Sequence, residues 1–234
     1  MSKTINFNKV RFRASAIGDL MTSGRSKSET WGQTAKNYMT EVYIGMKYGR
    51  YKEIQSKYIT KGLEAEEDSI TLLSRHHKKM YTKNEEWLKN EFITGTPDLI
   101  LPETVDDIKT SWDIFTFFVK DGDSLNKKYY WQLQSYMWLS DKPTARLHYC
   151  LTNTPEPLIN AEKRKLSYQM GVDLTIGSQL FEDACAELEK EMTFDDIPLS
   201  ERIITIHVPR NDDDIELIKQ RVIDARIWLK ENYS

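Results

Sequence analysis

Cysteine is nearly absent from this chain. Cys150 and Cys185 stand far apart without metal-ligand spacing, so neither a zinc site nor a disulfide framework is indicated. Long apolar runs are missing too: none approaches the ~20 residues of a membrane span, and the polar start Met1-Ser2-Lys3-Thr4 lacks the apolar stretch of a secretory signal. The expectation is a cytoplasmic protein (host-cell cytoplasm if viral) with no membrane attachment. No Gly-x-x-x-x-Gly-Lys-Ser/Thr segment occurs, which excludes a Walker-type nucleotide motor. There is no internal repeat and no low-complexity linker, so residues 1–234 are expected to form one domain.

Net positive charge is also lacking, since the total is −3, but the charge is unevenly divided. Residues 1–83 carry 16 Lys and Arg against 8 Asp and Glu, and residues 84–234 carry 17 against 28. A basic first half suits an anionic polymer, although clusters such as Lys47, Arg50, Lys52 and Lys57 equally describe solvated helix faces.

What is present centres on Gly95-Thr96-Pro97-Asp98-Leu99-Ile100, followed by Asp107-Ile108-Lys109. Leu99-Ile100-Leu101 and the segment holding Val105 and Ile108 read as short strands, and Pro102-Glu103 can turn the chain between them. A hairpin brings Asp98 and Asp107 to one end. Side chains alternate along a strand, so Asp107 and Lys109 share a face while Ile108 points to the opposite layer. Two carboxylates and an amine supply the parts for hydrolysing a phosphodiester: oxygen ligands for Mg²⁺ or Mn²⁺, and a group that orients or deprotonates the attacking water. The competing reading is a turn aspartate and a surface ion pair.

Glu66, in Gly62-Leu63-Glu64-Ala65-Glu66-Glu67-Asp68-Ser69-Ile70, is a further candidate. The segment reads as a helix starting after Gly62, with Leu63, Ile70, Leu73 and His77 on one stripe and Glu66 near its centre. Glu64 and Asp68 point away. An acid on a core-facing stripe is costly unless paired or metal-bound, whereas one at the stripe's edge simply reaches solvent. Tyr130-Trp131-Gln132-Leu133-Gln134-Ser135-Tyr136 is a second amphipathic helical run. In it Gln132 and Tyr136, four apart, share a face and can hydrogen-bond a phosphate or a metal-bound water without adding charge.

Taken in order, these pieces resemble the PD-(D/E)XK nuclease superfamily, within it the lambda-exonuclease-like and YqaJ-type viral recombinase exonucleases, over roughly residues 10 to 150. The matched elements are Gly-x-x-x-Glu at Gly62 to Glu66 with Ser69 after it, then Asp98, Asp-x-Lys at Asp107 to Lys109, and Gln-x-x-x-Tyr at Gln132 and Tyr136. The resemblance implies Glu66, Asp98, Asp107 and the Ile108 carbonyl as metal ligands, and Lys109 as the water-activating residue. It does not fit the superfamily's iron–sulfur branch, which needs four cysteines. In Arg11-Phe12-Arg13-Ala14-Ser15-Ala16, Ser15 reads as the N-cap of a first helix, a natural phosphate site. The resemblance makes Arg13 and Ser15 candidates for gripping a DNA end. Arg25 and Lys27, in the turn Ser23 to Ser28, could line the same channel.

The activity implied is degradation of linear double-stranded DNA from its ends, 5′ to 3′, by a phage-type exonuclease working with a single-strand annealing partner. Polarity and a ring of three subunits rest on the resemblance alone. The alternatives are a structure-specific or restriction-like endonuclease, or a non-catalytic DNA-binding subunit. The fold expected is α/β, a mixed central sheet flanked by helices. Residues 29–60 read as helical, Ala145 to Leu151 and Arg202 to Val208 as strands, and Ser178 to Lys190 as a helix. Asn211 to Asp214 should cap a last helix with Ile215, Ile218, Val222 and Ala225 inward. Residues 152–200 carry no motif.

Overall fold

The computed structural model describes residues 5–24, 26, 29–52, 56–119, 125–172 and 178–234. The chain enters through a 3₁₀ turn and the short strand β1 (Phe12–Arg13), then α1 (Ile17–Leu20), α2 (Gln33–Tyr48), α3 (Lys57–Glu64) and α4 (Glu66–His77). Four strands follow, β2 (Leu88–Lys89), β3 (Ile93–Gly95), β4 (Leu99–Ile100) and β5 (Thr104–Thr110). Next come α5 (Ile114–Phe118), α6 (Lys127–Ser140), β6 (Thr144–Cys150), α7 (Glu156–Met170), α8 (Gln179–Met192), β7 (Ile203–Pro209) and α9 (Asp212–Tyr233).

The fold is mixed α/β, as expected, with the strands divided between two sheets. One has the order β1-β3-β2 and the other β4-β5-β6-β7. In the larger sheet β5 and β6 run parallel over seven residue pairs, Thr104↔Thr144 to Thr110↔Cys150, with α6 as the crossover. β7 returns antiparallel to β6, and β4 pairs antiparallel with β5 for two residues only.

β5 is covered on both faces, which is why its alternation decides where the chemistry goes. Val105 faces a core made with Leu133, Tyr136 and Met137 of α6 and with Leu147. Ile108 faces the other core, with Ile70 and Leu73 of α4, Leu99 and Cys150. Burying each such aliphatic side chain contributes about 1.5–3 kcal/mol, so α6 and α4 are fixed on opposite sides of one strand. A third core joins Phe12, Ile17, Met39 and Ile93 to Ile218, Val222, Ala225 and Leu229 of α9. The last helix is capped as its sequence indicates: the Asn211 side chain accepts from the amides of Asp213 and Asp214.

Three sequence expectations are corrected. The helix before Glu66 starts at Lys57, capped by the Ser56 side chain, and Gly62 lies inside it. Ala65, at φ −98° and ψ 12°, breaks the run, so Glu66 opens a separate helix. That break rotates α3 out of the stripe expected of a continuous helix, leaving Leu63 71% exposed while Lys61 is 1% exposed. Ser15 caps nothing: it is exposed inside a 3₁₀ turn, Ala14–Ala16, that precedes α1. The helical expectation for residues 29–60 holds for 33–48 and from Lys57 onward, but Gly49, at φ +64°, ends α2. Within 152–200 the structure adds α7, which packs on α8.

Candidate active site

Asp98 precedes β4 and Asp107 lies at the centre of β5, so the hairpin joining the strands sets them side by side. β4 stops pairing at Asp106, and beyond that point β5 has no strand neighbour on this side among the described residues. The Asp98 carboxylate takes the place of one, since the Ile108 amide donates to its Oδ2 at 2.5 Å. In an extended strand a residue's N–H and C=O point the same way, so the Ile108 carbonyl faces this open edge as well.

Asp107 is 2% exposed and held from two directions. Gln132 Nε2 donates to its Oδ1 at 2.9 Å and also to the Tyr136 hydroxyl at 3.0 Å, while that hydroxyl donates to the Thr96 carbonyl. Lys109 Nζ approaches Asp107 Oδ2 at 2.7 Å. The ion pair compensates the buried charge, and a carboxylate oxygen paired in this way still has a lone pair for a cation. The Tyr136 ring lies so close to Gly95 that a Cβ there would stand 2.8 Å from it, which explains why the motif begins with glycine.

Glu66 comes from the start of α4, and its Oε2 lies 2.7 Å from Lys83 Nζ. One turn later the buried Ser69 hydroxyl bonds Thr110 Oγ1 at 2.8 Å, tying α4 to the end of β5. Glu66, Asp98, Asp107, Ile108, Lys109, Gln132 and Tyr136 all line one cavity of about 610 Å³, with Tyr58, Trp112 and Tyr129 in its walls. Every catalytic and metal-ligand candidate from the sequence is thus in one place.

The electrostatics are those of crowded acids. Burial, then the neighbouring Asp107 carboxylate, push Asp98 up to about 7 against the smaller opposing effects of the Ile108 amide and Lys109. Burial alone would lower Lys109, but Asp107 and Asp98 more than offset it and hold the ammonium above its usual range. Tyr136 is raised by burial and by Asp107, so it is a neutral hydrogen-bond donor.

Among the described residues no three His, Cys, Asp or Glu side chains are drawn together closely enough to cage a cation by themselves. Each carboxylate is engaged elsewhere: Asp98 with Ile108, Asp107 with Gln132 and Lys109, Glu66 with Lys83. The donor set nonetheless fits a hard divalent cation of the kind that keeps waters and borrows substrate oxygens. Such a cation would take a lone pair of Asp107 and favour the charged form of Asp98 against the burial and the Asp107 repulsion that raise it.

The DNA-end candidates lie apart. Arg13 is exposed and lines a different depression with Arg11, Tyr38, Glu41 and Lys52; its amide donates to the Tyr38 hydroxyl at 3.0 Å. Ser15 is exposed nearby in sequence and does not line the catalytic cavity. Arg25 and Lys27 lie outside the described residues.

Two features escaped the sequence reading. Lys83 bears no motif and is recognised only by its contact with Glu66. Asp106, next to Asp107 but on the opposite face, is fully buried in a bidentate pair with Arg146 at 2.9 and 2.5 Å, and His148 Nε2 lies 3.3 Å away. Burial would raise Asp106, but the His148 and Arg146 hydrogen bonds outweigh it and hold the carboxyl below its usual value. The signal was available in Asp-Asp on an alternating strand, where one of the two must face the core.

A two-residue hairpin arm and a parallel β5–β6 pair crossed by α6 thus set a carboxylate–lysine cluster at an open strand edge. No protein-family model and no curated protein sequence matches the chain. Among solved structures it is similar to a phage-related exonuclease from Haemophilus somnus 129PT, at 26% identity over 95% of both chains, with a TM-score of 0.72. It is also similar to an alkaline exonuclease from Laribacter hongkongensis, at 15% identity over 96% of this chain and 90% of that one, with a TM-score of 0.63. The complex of that enzyme with dAMP matches at 15% identity over 95% and 89%, with a TM-score of 0.62. The structural neighbours of this chain are therefore phage-related and alkaline exonucleases, lambda-exonuclease-like in type, and it has their fold.

Proposed function

We propose that the protein is a metal-dependent deoxyribonuclease that shortens linear double-stranded DNA from its ends. The observation that carries this reading is the convergence of Asp98, Asp107, Lys109 and Glu66 on the open edge of β5 at Ile108, inside one cavity. The exonuclease neighbours support it, and the dAMP bound to one of them is the kind of product that hydrolysis of a terminal nucleotide would leave.

Glu66, Asp98, Asp107 and the Ile108 carbonyl would hold Mg²⁺ or Mn²⁺, which when bound supplies a nucleophilic water and takes up charge on the phosphate. The chain's own part is positional. Lys109, beside Asp107, orients or deprotonates the attacking water, and its charge stabilises the phosphate. Gln132 and Tyr136 fix Asp107 and can donate hydrogen bonds to a phosphate oxygen. Polarity from 5′ to 3′, a three-subunit ring, and a single-strand annealing partner in DNA recombination belong to this proposal by likeness to lambda-type exonucleases. Arg13, Ser15 and Arg25 are its candidate DNA contacts.

The deciding assay compares end-labelled linear duplex with covalently closed circles, with and without Mg²⁺. Loss of linear substrate alone, dependent on metal, is the expected result. Nicking of closed circles at the same rate would instead identify an endonuclease.

A further inference from the structure

Beyond the catalytic cavity, α4 and the segment after it enclose a second groove, about 900 Å³, in which Arg75, Lys78, Lys79 and Lys83 outnumber the two acids, Glu67 and Glu85. From Ser69 to Asn84 the sequence has four lysines and arginines and no acid. Arg75, Lys78 and Lys79 are exposed and have no carboxylate partner among the described residues, in a chain where acids outnumber bases. The negative end of the α4 dipole accounts for Arg75, in the last turn. It favours Lys78 at the cap as well, and fades beyond the helix end toward Lys79 and Lys83.

The lysines are also held in place. Lys78 takes the left-handed conformation, φ 51°, at the helix cap, where its amide bonds the Arg75 carbonyl and the Lys79 amide bonds that of Ser74. Glycine or asparagine would fit there with less strain. Lys79 lies over the Tyr81 ring at 5.6 Å, and Tyr81 in turn pairs with His77. Lys83 joins the groove to the catalytic cavity, since it lines the first and grips Glu66 in the second.

We propose that this groove is the track along which the phosphate backbone of a nucleic-acid strand runs to the catalytic cavity, with Lys78 and Lys79 contacting phosphates and Lys83 marking the entry. The proposal rests on the nuclease reading above. Its chemistry is that of a sequence-independent backbone site, in which each phosphate neutralised releases counterions and makes binding salt-dependent.

The test is fluorescence anisotropy of a labelled single-stranded 12-mer, with Ca²⁺ in place of Mg²⁺, across a salt series. The double variant Lys78→Gln/Lys79→Gln should flatten the log–log salt slope by about 1.4 for two lost single-strand phosphate contacts, which at 0.15 M salt is roughly tenfold weaker binding. Lys83→Gln should weaken binding without weakening calorimetric Mn²⁺ binding, and Lys230→Gln, at the far end of α9, should change neither. An unchanged slope in the double variant, with the wild type both binding and cutting, overturns the track and leaves the nuclease reading standing. A wild type that neither binds nor cuts overturns both. Displacement of the 12-mer by poly-glutamate of equal length as efficiently as by unlabelled oligonucleotide would reassign the groove to an acidic protein segment and also overturn it.

Discussion

Replacing Lys61 with methionine should stabilise the protein at neutral pH and lose that advantage in alkali. Lys61 is 1% exposed, its ammonium donates to the Trp112 carbonyl at 2.8 Å, and it lies 5.2 Å from the Phe194 ring centre. Burial lowers its pKa from 10.5 to about 8, with a weaker opposing pull from Asp113. The unfolded chain therefore binds the proton more tightly than the folded one. Below the folded value the full cost of burying the charge is present; between that value and 10.5 it is progressively relieved, so stability from this group rises with pH. The fall to about 8 is worth about 3 kcal/mol. Methionine fills the same space without charge but leaves the Trp112 carbonyl unpaired, an offset of about 1–2 kcal/mol. The variant should gain about 1–2 kcal/mol at pH 7, a rise in Tm of about 2–8 °C for a chain of this size. Thermal melts followed by circular dichroism at pH 7, 8, 9 and 10, wild type and variant in parallel, measure it. A variant less stable by the same amount at every pH would refute the reasoning, because it would mean that Lys61 is charged at no cost.

Activity should appear with Mg²⁺ or Mn²⁺ and vanish in excess chelator, while Ca²⁺ supports DNA binding with little cleavage, as gel shifts and product analysis would show. Asp107→Ala should weaken metal binding in calorimetry, whereas Lys109→Ala should leave it near wild type and lower single-turnover cleavage by at least 100-fold. Glu64→Ala serves as their control, for Glu64 is exposed at the end of α3, and it should cut normally. Arg146→Met should cost about 3–5 kcal/mol in urea melts, because it strands the buried Asp106 carboxylate.

The hairpin residues were legible because period-two alternation is strict: once Val105 and Ile108 are read as facing opposite cores, Asp107 and Lys109 must share a side. Gln132 and Tyr136 were legible for the matching reason on a helix, and Leu133 and Met137 do pack inward beside them. Glu66 was found through a helix placed wrongly. A break at Ala65 leaves no mark in the pattern, since alanine suits a helix interior. Lys61 carried no signal in the pattern: it lies inside while Tyr58, Ile59 and Leu63 of the same helix are exposed. Tertiary packing overrode that helix's own amphipathic order. Ser15 read as a cap because its residue type suits one, and only the backbone shows a 3₁₀ turn in its place. The division of the strands between two sheets depends on pairings of two or three residues, too short to carry a periodic signal.

The brevity of β4 bears on which insertions and deletions a lineage of such proteins could survive. β5 is locked to β6 along seven residue pairs, so it cannot slide when the Pro102–Glu103 turn changes length. A residue gained or lost there must be absorbed by β4, held by two pairs and by the Asp98–Ile108 contact. A shift of one position would turn Asp98 to the opposite face and set Pro97 or Leu99 against the open edge of β5. Length variation should therefore be purged from residues 98–107 even where every functional side chain is kept, and tolerated past Asp107 only where the β5–β6 ladder has ended.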